Sequence, residues 1–250
     1  MKKIALAVMA TLLGSPAWAA DMAVKAPPLT SPIWSWTGFY VGGNVGYSWG
    51  RAPTDVAFIQ TSTGVTFVTV PNTPQLNGAL GGVQAGYNWQ VDRLVLGAEA
   101  DIQWTGERGS GTSVCPTACS PNGPTSATVN PSLQWFQTLR GRLGAASSGF
   151  MAYVTGGAAY GEINTSAAML GFGPGGVAMS GNASWSSIRL GWAAGAGLET
   201  RFGERWSGRI EYLYMDLGTV SANTLPPFSG AFNSKITDNV FRIGLNYLLH

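Results

Sequence analysis

Charge is what this sequence has least of. Asp, Glu, Lys and Arg make up 10% of its 250 residues, against about 25% in a typical soluble domain. So few charges cannot dress a water-facing surface of ordinary polarity, which turns the reading toward a membrane. Long apolar runs are missing as well. The main candidate, Ile4 to Leu13, ends at Gly14 and Pro16, short of the roughly 20 residues that a membrane-crossing helix needs. Preceded by Lys2 and Lys3 and followed by Ala17-Trp18-Ala19, it has the basic start, apolar centre and small-x-small end of an export signal over residues 1–19. Ala20 is then the expected mature N-terminus. Cleavage removes two lysines and leaves twelve basic and twelve acidic residues, a balance that offers no basic patch and excludes nucleic acid as a partner.

Histidine is nearly absent. The single one is His250, the last residue, so neither Ser–His catalysis nor a histidine-based metal site is available, and no enzyme activity and no cofactor are expected. Cysteine is limited to Cys115 and Cys119, in the stretch CPTAC. Two thiols without a histidine make a poor metal site, and in an exported chain they are expected to close as a disulfide. Glycine runs do occur, at Gly42-Gly43 and in GFGPGG at 171–176, but no lysine of a phosphate-binding loop follows either.

What the chain does have is 35 glycines, 11% aromatics and a period of two. In LVLGAEADIQW, residues 94–104, Leu94, Leu96, Ala98, Ala100, Ile102 and Trp104 alternate with Val95, Gly97, Glu99, Asp101 and Gln103. That pattern is a strand. Eight such segments are expected, at about 36–49, 77–90, 94–105, 132–145, 150–162, 186–200, 206–217 and 238–249. Short connections fall at Gln90–Arg93, Ala146–Gly149 and Arg201–Arg205, and long polar ones near 50–76, 106–131, 163–185 and 218–237. Sorting of this kind marks an even-stranded membrane barrel, with short periplasmic turns and long extracellular loops. The fold class expected is therefore all-β, an eight-stranded antiparallel transmembrane up-and-down barrel over residues 35–250, with residues 20–34 as a Pro/Ala-rich periplasmic tether. Both termini then lie in the periplasm.

Tryptophans gather at strand ends. Trp36, Trp89 and Trp206 stand at the short-turn ends and Trp49, Trp104, Trp135 and Trp185 at the long-loop ends, as two aromatic girdles at the headgroup level would require; Trp192 is mid-strand. Charges fall opposite the apolar rows. Arg140 and Arg142 take the parity opposite Leu133, Trp135, Leu139 and Leu143, and Arg189 and Glu199 that opposite Ile188, Leu190, Trp192 and Leu198. Arg209 and Glu211 oppose Ile210, Tyr212 and Tyr214, and Asp238 and Arg242 oppose Phe241, Ile243, Leu245 and Tyr247. With Glu99 and Asp101 this makes five acids and five arginines on the alternate face, a lumenal ion-pair network facing inward while the leucines meet lipid. Glu99 and Asp101 also have the roughly 6–7 Å spacing of an acid/base pair, but arginines on the next segment favour ion pairing. The fifth segment carries aromatics and small residues on both faces, and its orientation stays open.

SWTGFYVGGNVGYSWG at 35–50, GGVQAGYNWQ at 81–90, LVLGAEADIQW at 94–104, LQWFQTLRGRLG at 133–144, YVTGGAAYG at 153–161 and EYLYMDLG at 211–218 together resemble the small outer-membrane β-barrel family, whose members include outer-membrane immunogenic proteins and porin-family proteins. The resemblance implies a barrel in the outer membrane of a Gram-negative bacterium, similar to the OmpA-type membrane domain, with surface loops and no enzyme activity. Its partners would be outer-membrane lipid and, during insertion, the barrel-assembly machinery. One departure is the ending GLNYLLH, with Leu249 and His250 where such proteins usually finish on phenylalanine. Three roles follow: a structural envelope barrel with at most a narrow passive pore; a surface-binding protein, adhesin or small-ligand (haem) receptor, acting through its extracellular loops; and a soluble carrier of apolar ligands, which the sorted loops and girdles disfavour.

Overall fold

The computed structural model describes residues 35–59, 66–115, 123–147, 149–172, 174–224 and 229–249; the expected signal, the tether, Cys119 and His250 lie outside them. Eleven strands run in chain order as β1 (Gly38–Arg51), β2 (Thr54–Ile59), β3 (Thr66–Asn72), β4 (Gln75–Val91), β5 (Leu94–Arg108), β6 (Gly111–Cys115), β7 (Thr125–Ser147), β8 (Phe150–Phe172), β9 (Ala178–Phe202), β10 (Trp206–Thr224) and β11 (Ser229–Leu249). Eight of them form a closed antiparallel ring, β1-β4-β5-β7-β8-β9-β10-β11, completed by pairing of β11 with β1 from Phe39–Leu249 to Arg51–Thr237. These are the eight segments read from the sequence.

Alternation does what the polarity of the strands demands. On β5, Val95, Glu99, Asp101 and Gln103 are buried while Leu94, Leu96 and Trp104 are exposed. A strand pointing leucine outward and carboxylate inward suits a wall between lipid and a closed interior. The fifth segment, now β8, is resolved the same way: Met151, Tyr153, Ala159 and Ile163 are buried, and Phe150, Val154 and Tyr160 are exposed. At one end the strands join by tight turns. Asp92 takes φ 53 in the β4–β5 turn and Gly149 takes φ 86 between β7 and β8, the left-handed conformation that aspartate tolerates and glycine adopts freely.

The other end departs from expectation. Much of the four stretches read as long polar loops is strand. β2, β3 and β6 occupy parts of the first two, β8 and β9 run to Phe172 and from Ala178 with a single 3-10 turn at Pro174–Gly176 between them, and β10 and β11 fill most of the last. β9 has 25 residues, a reach of roughly 80 Å at strand rise, whereas about 9–11 residues cross a bilayer. The walls therefore continue well past the membrane. Beyond the ring they separate into two sheets, β3-β2-β11-β10 and β6-β7-β8-β9. Val56, Phe58 and Phe232 of one sheet pack with Ala127, Val129, Ala167 and Met169 of the other, forming an outer lobe with its own apolar core. In these stretches apolar residues alternate with Thr, Ser and Asn rather than with charges, which hid the period.

Candidate functional site

Three apolar layers and one ionic layer stack along the interior. At the short-turn end Trp36, Val95, Ala146, Met151 and Tyr153 cluster. Farther up, Leu80, Leu133, Phe136, Ile163, Leu213, Met215 and Val240 form a larger cluster, and the lobe core lies beyond it. Between the first two sits the ionic layer.

Arg140 is its hub. Its Nη2 pairs with Glu99 Oε1 at 2.6 Å and Asp101 Oδ2 at 2.9 Å, and its Nη1 with Glu211 Oε1 at 2.7 Å. Arg242 Nη2 reaches Glu211 at 3.0 Å and Asp101 at 3.2 Å. Arg209 pairs with Glu99 and lies 3.5 Å from Glu211. Arg142 holds Glu199 at 2.7 Å and donates to the Tyr40 hydroxyl at 2.8 Å, with its guanidinium 3.9 Å from the Tyr153 ring centroid. Tyr40 and Tyr153 donate to Glu99 and Glu211 at 2.6 and 2.8 Å. Thr138 donates to Asp101 at 2.6 Å, and Asn246 to Glu199 at 2.8 Å. Four arginines thus meet four carboxylates. The side chains of Glu99, Asp101, Arg140, Arg209, Glu211 and Arg242 are 0% exposed.

Burial on this scale is tolerable only because charges and hydrogen bonds are matched: removing one partner of such a pair strands the other in a dry site. Some donors do remain unmatched, among them Arg209 Nη2 and Arg242 Nη1. They are the points where an ordered water would be accommodated if the layer loosened.

Two of the ten expected network members stand apart. Asp238 is buried but lies against Glu107, whose carboxylate accepts from Ser48 Oγ. Glu107 was missed because the expected strand stopped at 105, although it shares the parity of Glu99 and Asp101. Arg189 is half-buried and makes none of the ion pairs of the layer.

The tryptophans also divide. Trp89 and Trp206 at the short-turn end, and Trp49 and Trp104 at the other, are exposed on the outer wall; Trp135 is half-buried and donates to Glu162 at 2.8 Å. Trp36 is not in a girdle. It is 1% exposed within the lower apolar cluster, with the Arg201 guanidinium 5.5 Å from its ring centroid. Trp185 is not in one either, and packs inside against Phe232 at 5.8 Å between ring centroids. Leu133, expected on the lipid side with Trp135, is buried, because the register of β7 shifts by one between Leu133 and Trp135. A one-residue bulge exchanges the two faces of a strand. Cys115 is disulfide-bonded; Cys119, its expected partner, lies outside the described residues. No group of three or more potential metal ligands occurs among the described residues.

Comparison with known proteins places this geometry. The model of the outer membrane protein beta-barrel domain matches residues 5–248. The 31 kDa outer-membrane immunogenic protein of Brucella melitensis is 36% identical over 99% of this chain and 99% of its own. The 25 kDa outer-membrane immunogenic protein of the same organism is 28% identical over 92% of this chain and 90% of its own. Among solved structures, the outer membrane protein OprG of Pseudomonas aeruginosa superposes with a TM-score of 0.50 at 13% identity, covering 86% of this chain and 97% of that one, a likeness of fold.

Proposed function

We propose a role for this chain from the premise that it belongs to the outer membrane protein beta-barrel domain family: it is a sealed envelope barrel that serves as a structural element and passes at most small ions. The observation that carries this reading is the neutral ionic layer, fully buried and held between two apolar layers. An eight-stranded barrel has an interior that side chains nearly fill, and here the fill is locked by paired charges. An ion entering from either end would have to cross apolar packing and then displace an arginine from two or three carboxylates. The test is conductance of the refolded mature chain in a planar bilayer. Small, intermittent conductance or none is expected; large steady currents like those of a 16-stranded porin overturn it.

A second reading is favoured by the outer lobe: a binding surface presented outside the cell. Two sheets with an apolar core of their own are more ordered than passive loops need to be, and relatives bearing the name immunogenic protein suit a surface-exposed element. In both readings residues 1–19 are a cleaved signal, residues 20–34 a periplasmic tether and Cys115–Cys119 a disulfide. The chain inserts with the barrel-assembly machinery, keeps its termini periplasmic, and catalyses no reaction. Protease added to intact cells should cut in the lobe and leave the tether untouched.

A further inference from the structure

Low on the outer wall a groove is lined by the exposed side chains of Leu94, Leu143, Val154, Ile210 and Phe241, as contact with lipid tails requires. A groove higher up is of another kind. It opens between β5 and β7 beside Trp104, where the strands fall out of register between Trp104–Trp135 and Glu107–Leu133. An extra residue on one strand spreads the ladder locally. Thr105 bridges the gap: its Oγ1 donates to the Leu133 carbonyl at 3.2 Å and accepts from the Glu107 N–H at 2.8 Å. Outside it a volume of about 650 Å³ remains, lined by Trp104, Arg108, Asn130, Ser132, Gln134 and Ser166. Of these Ser132 is half-buried and the others are exposed.

Height decides what this groove meets. Trp49 and Trp104 mark the headgroup level on the outer wall, and Arg108 stands beyond Trp104 on the same face, roughly 13 Å farther along the strand. Arg108 pairs in register with Asn77, and Asn77 with Trp49, so the exposed Arg51 lies on the same side of the barrel across β4. Both arginines are uncommitted. The acids on the outer faces of the ring strands at this end are already engaged. Glu162 accepts from Trp135 Nε1 and Ser186 Oγ, each at 2.8 Å. Asp216 pairs with Lys235 at 3.1 Å and accepts from the Gly218 N–H at 2.8 Å, at the β10 bulge between Asp216 and Thr219 where the ladder with β9 ends. Neither Arg51 nor Arg108 has an ion pair among the described residues.

We propose that the β5–β7 groove binds the phosphorylated sugar headgroup of a membrane lipid. The Arg108 guanidinium meets the phosphate with its planar fork of donors. The Trp104 indole offers a flat apolar face to the sugar ring, and Asn130, Ser132, Gln134 and Ser166 supply donors and acceptors for its hydroxyls. Arg51 adds positive potential along the same face. A phospholipid without a sugar leaves the amides and hydroxyls to water, and a neutral glycolipid leaves Arg108 unmatched. Only a headgroup with both parts uses the whole groove. Its tails run down over Leu96, Leu139 and Leu143, which are exposed on the wall below. Assigning the lipid to the outer leaflet rests on the surface reading.

The experiment uses the full mature chain refolded in an amine-oxide detergent. It is titrated with lipid A, a glucosamine-disaccharide lipid with two phosphates, and bound lipid is counted by native mass spectrometry. The comparison lipids are the same glycolipid stripped of phosphate and phosphatidylglycerol, and each is expected to bind at least tenfold more weakly. Arg108→Ala should weaken lipid A at least tenfold and Arg108→Lys less, since a point charge replaces the fork; Trp104→Leu should weaken it several-fold. Lys235→Ala, which removes a cation from the same end of the barrel, should change nothing. These side chains are exposed, and gel mobility before boiling confirms that each variant is folded. Equal binding of either comparison lipid, indifference to Arg108→Ala, or an equal loss in Lys235→Ala overturns the proposal. Displacement of lipid A by equimolar glucosamine 6-phosphate overturns it as well, by making the groove a site for a free sugar phosphate. Because these measurements need no cells, they fail independently of the surface reading, which fails if protease on intact cells leaves the lobe uncut.

Discussion

The ionic layer and the outer lobe are built from the same strands, yet they are held together by opposite means. In the ring every strand has two neighbours, and four arginines and four carboxylates are drawn from five different strands. In the lobe the strands part into two sheets with an open side, and apolar contacts between facing walls do the work. The lesson is that ring closure allows a polar interior. With all backbone groups paired around the wall, the inside can be specified by charge; once the wall opens, only an apolar core keeps the two halves together.

The largest expected effect comes from breaking the layer. Arg140→Ala strands Glu99, Asp101 and Glu211 and should cost about 3–5 kcal/mol in heat or denaturant unfolding in detergent, with a leakier lumen. Unchanged stability together with unchanged conductance would remove the contrast between the regions. Phe232→Ala acts on the lobe instead. It should cost about 3 kcal/mol locally, seen as faster proteolysis beyond the ring, while the folded barrel keeps its gel mobility before boiling; loss of that mobility would show that the lobe supports the ring. Gly218→Val probes the junction. At φ 75 a β-branched residue should cost about 1–2 kcal/mol, detected as faster amide exchange around the β10 bulge alone. The smallest effect concerns the chain end: replacing Leu249 by Phe and deleting His250 should leave the yield of folded barrel in the outer membrane unchanged or slightly higher, and a marked fall would make the present ending the preferred one.

The regions also differ in how far they could be read from the sequence. In the ring, contrast between leucine and arginine exposed the period directly, and eight of the ten inward charges assemble in one layer. The misplaced residues there have definite causes. Trp36 was assigned by its place at a strand end, although it shares the parity of the buried Tyr40, Asn44 and Ser48. Trp185 likewise shares the parity of Glu199. Leu133 was beyond reach, since nothing in LQWFQ announces that Gln134 interrupts the register. In the lobe the strands alternate Val or Ala with Thr or Ser, residues common in both strands and loops. Pairing partners far along the chain, such as Val56 with Phe232, decide the outcome there.

Phe39 pairs with Leu249, so the first strand waits for the last. A ribosome releases the N-terminal staves long before the residues that close them exist, and a partial ring ends in two bare edges. Contacts of this sequence separation form slowly. The chain is consequently committed to travel unfolded as a whole, and its final strand acts as a clasp: any copy truncated ahead of β11 remains open whatever the quality of its other seven walls.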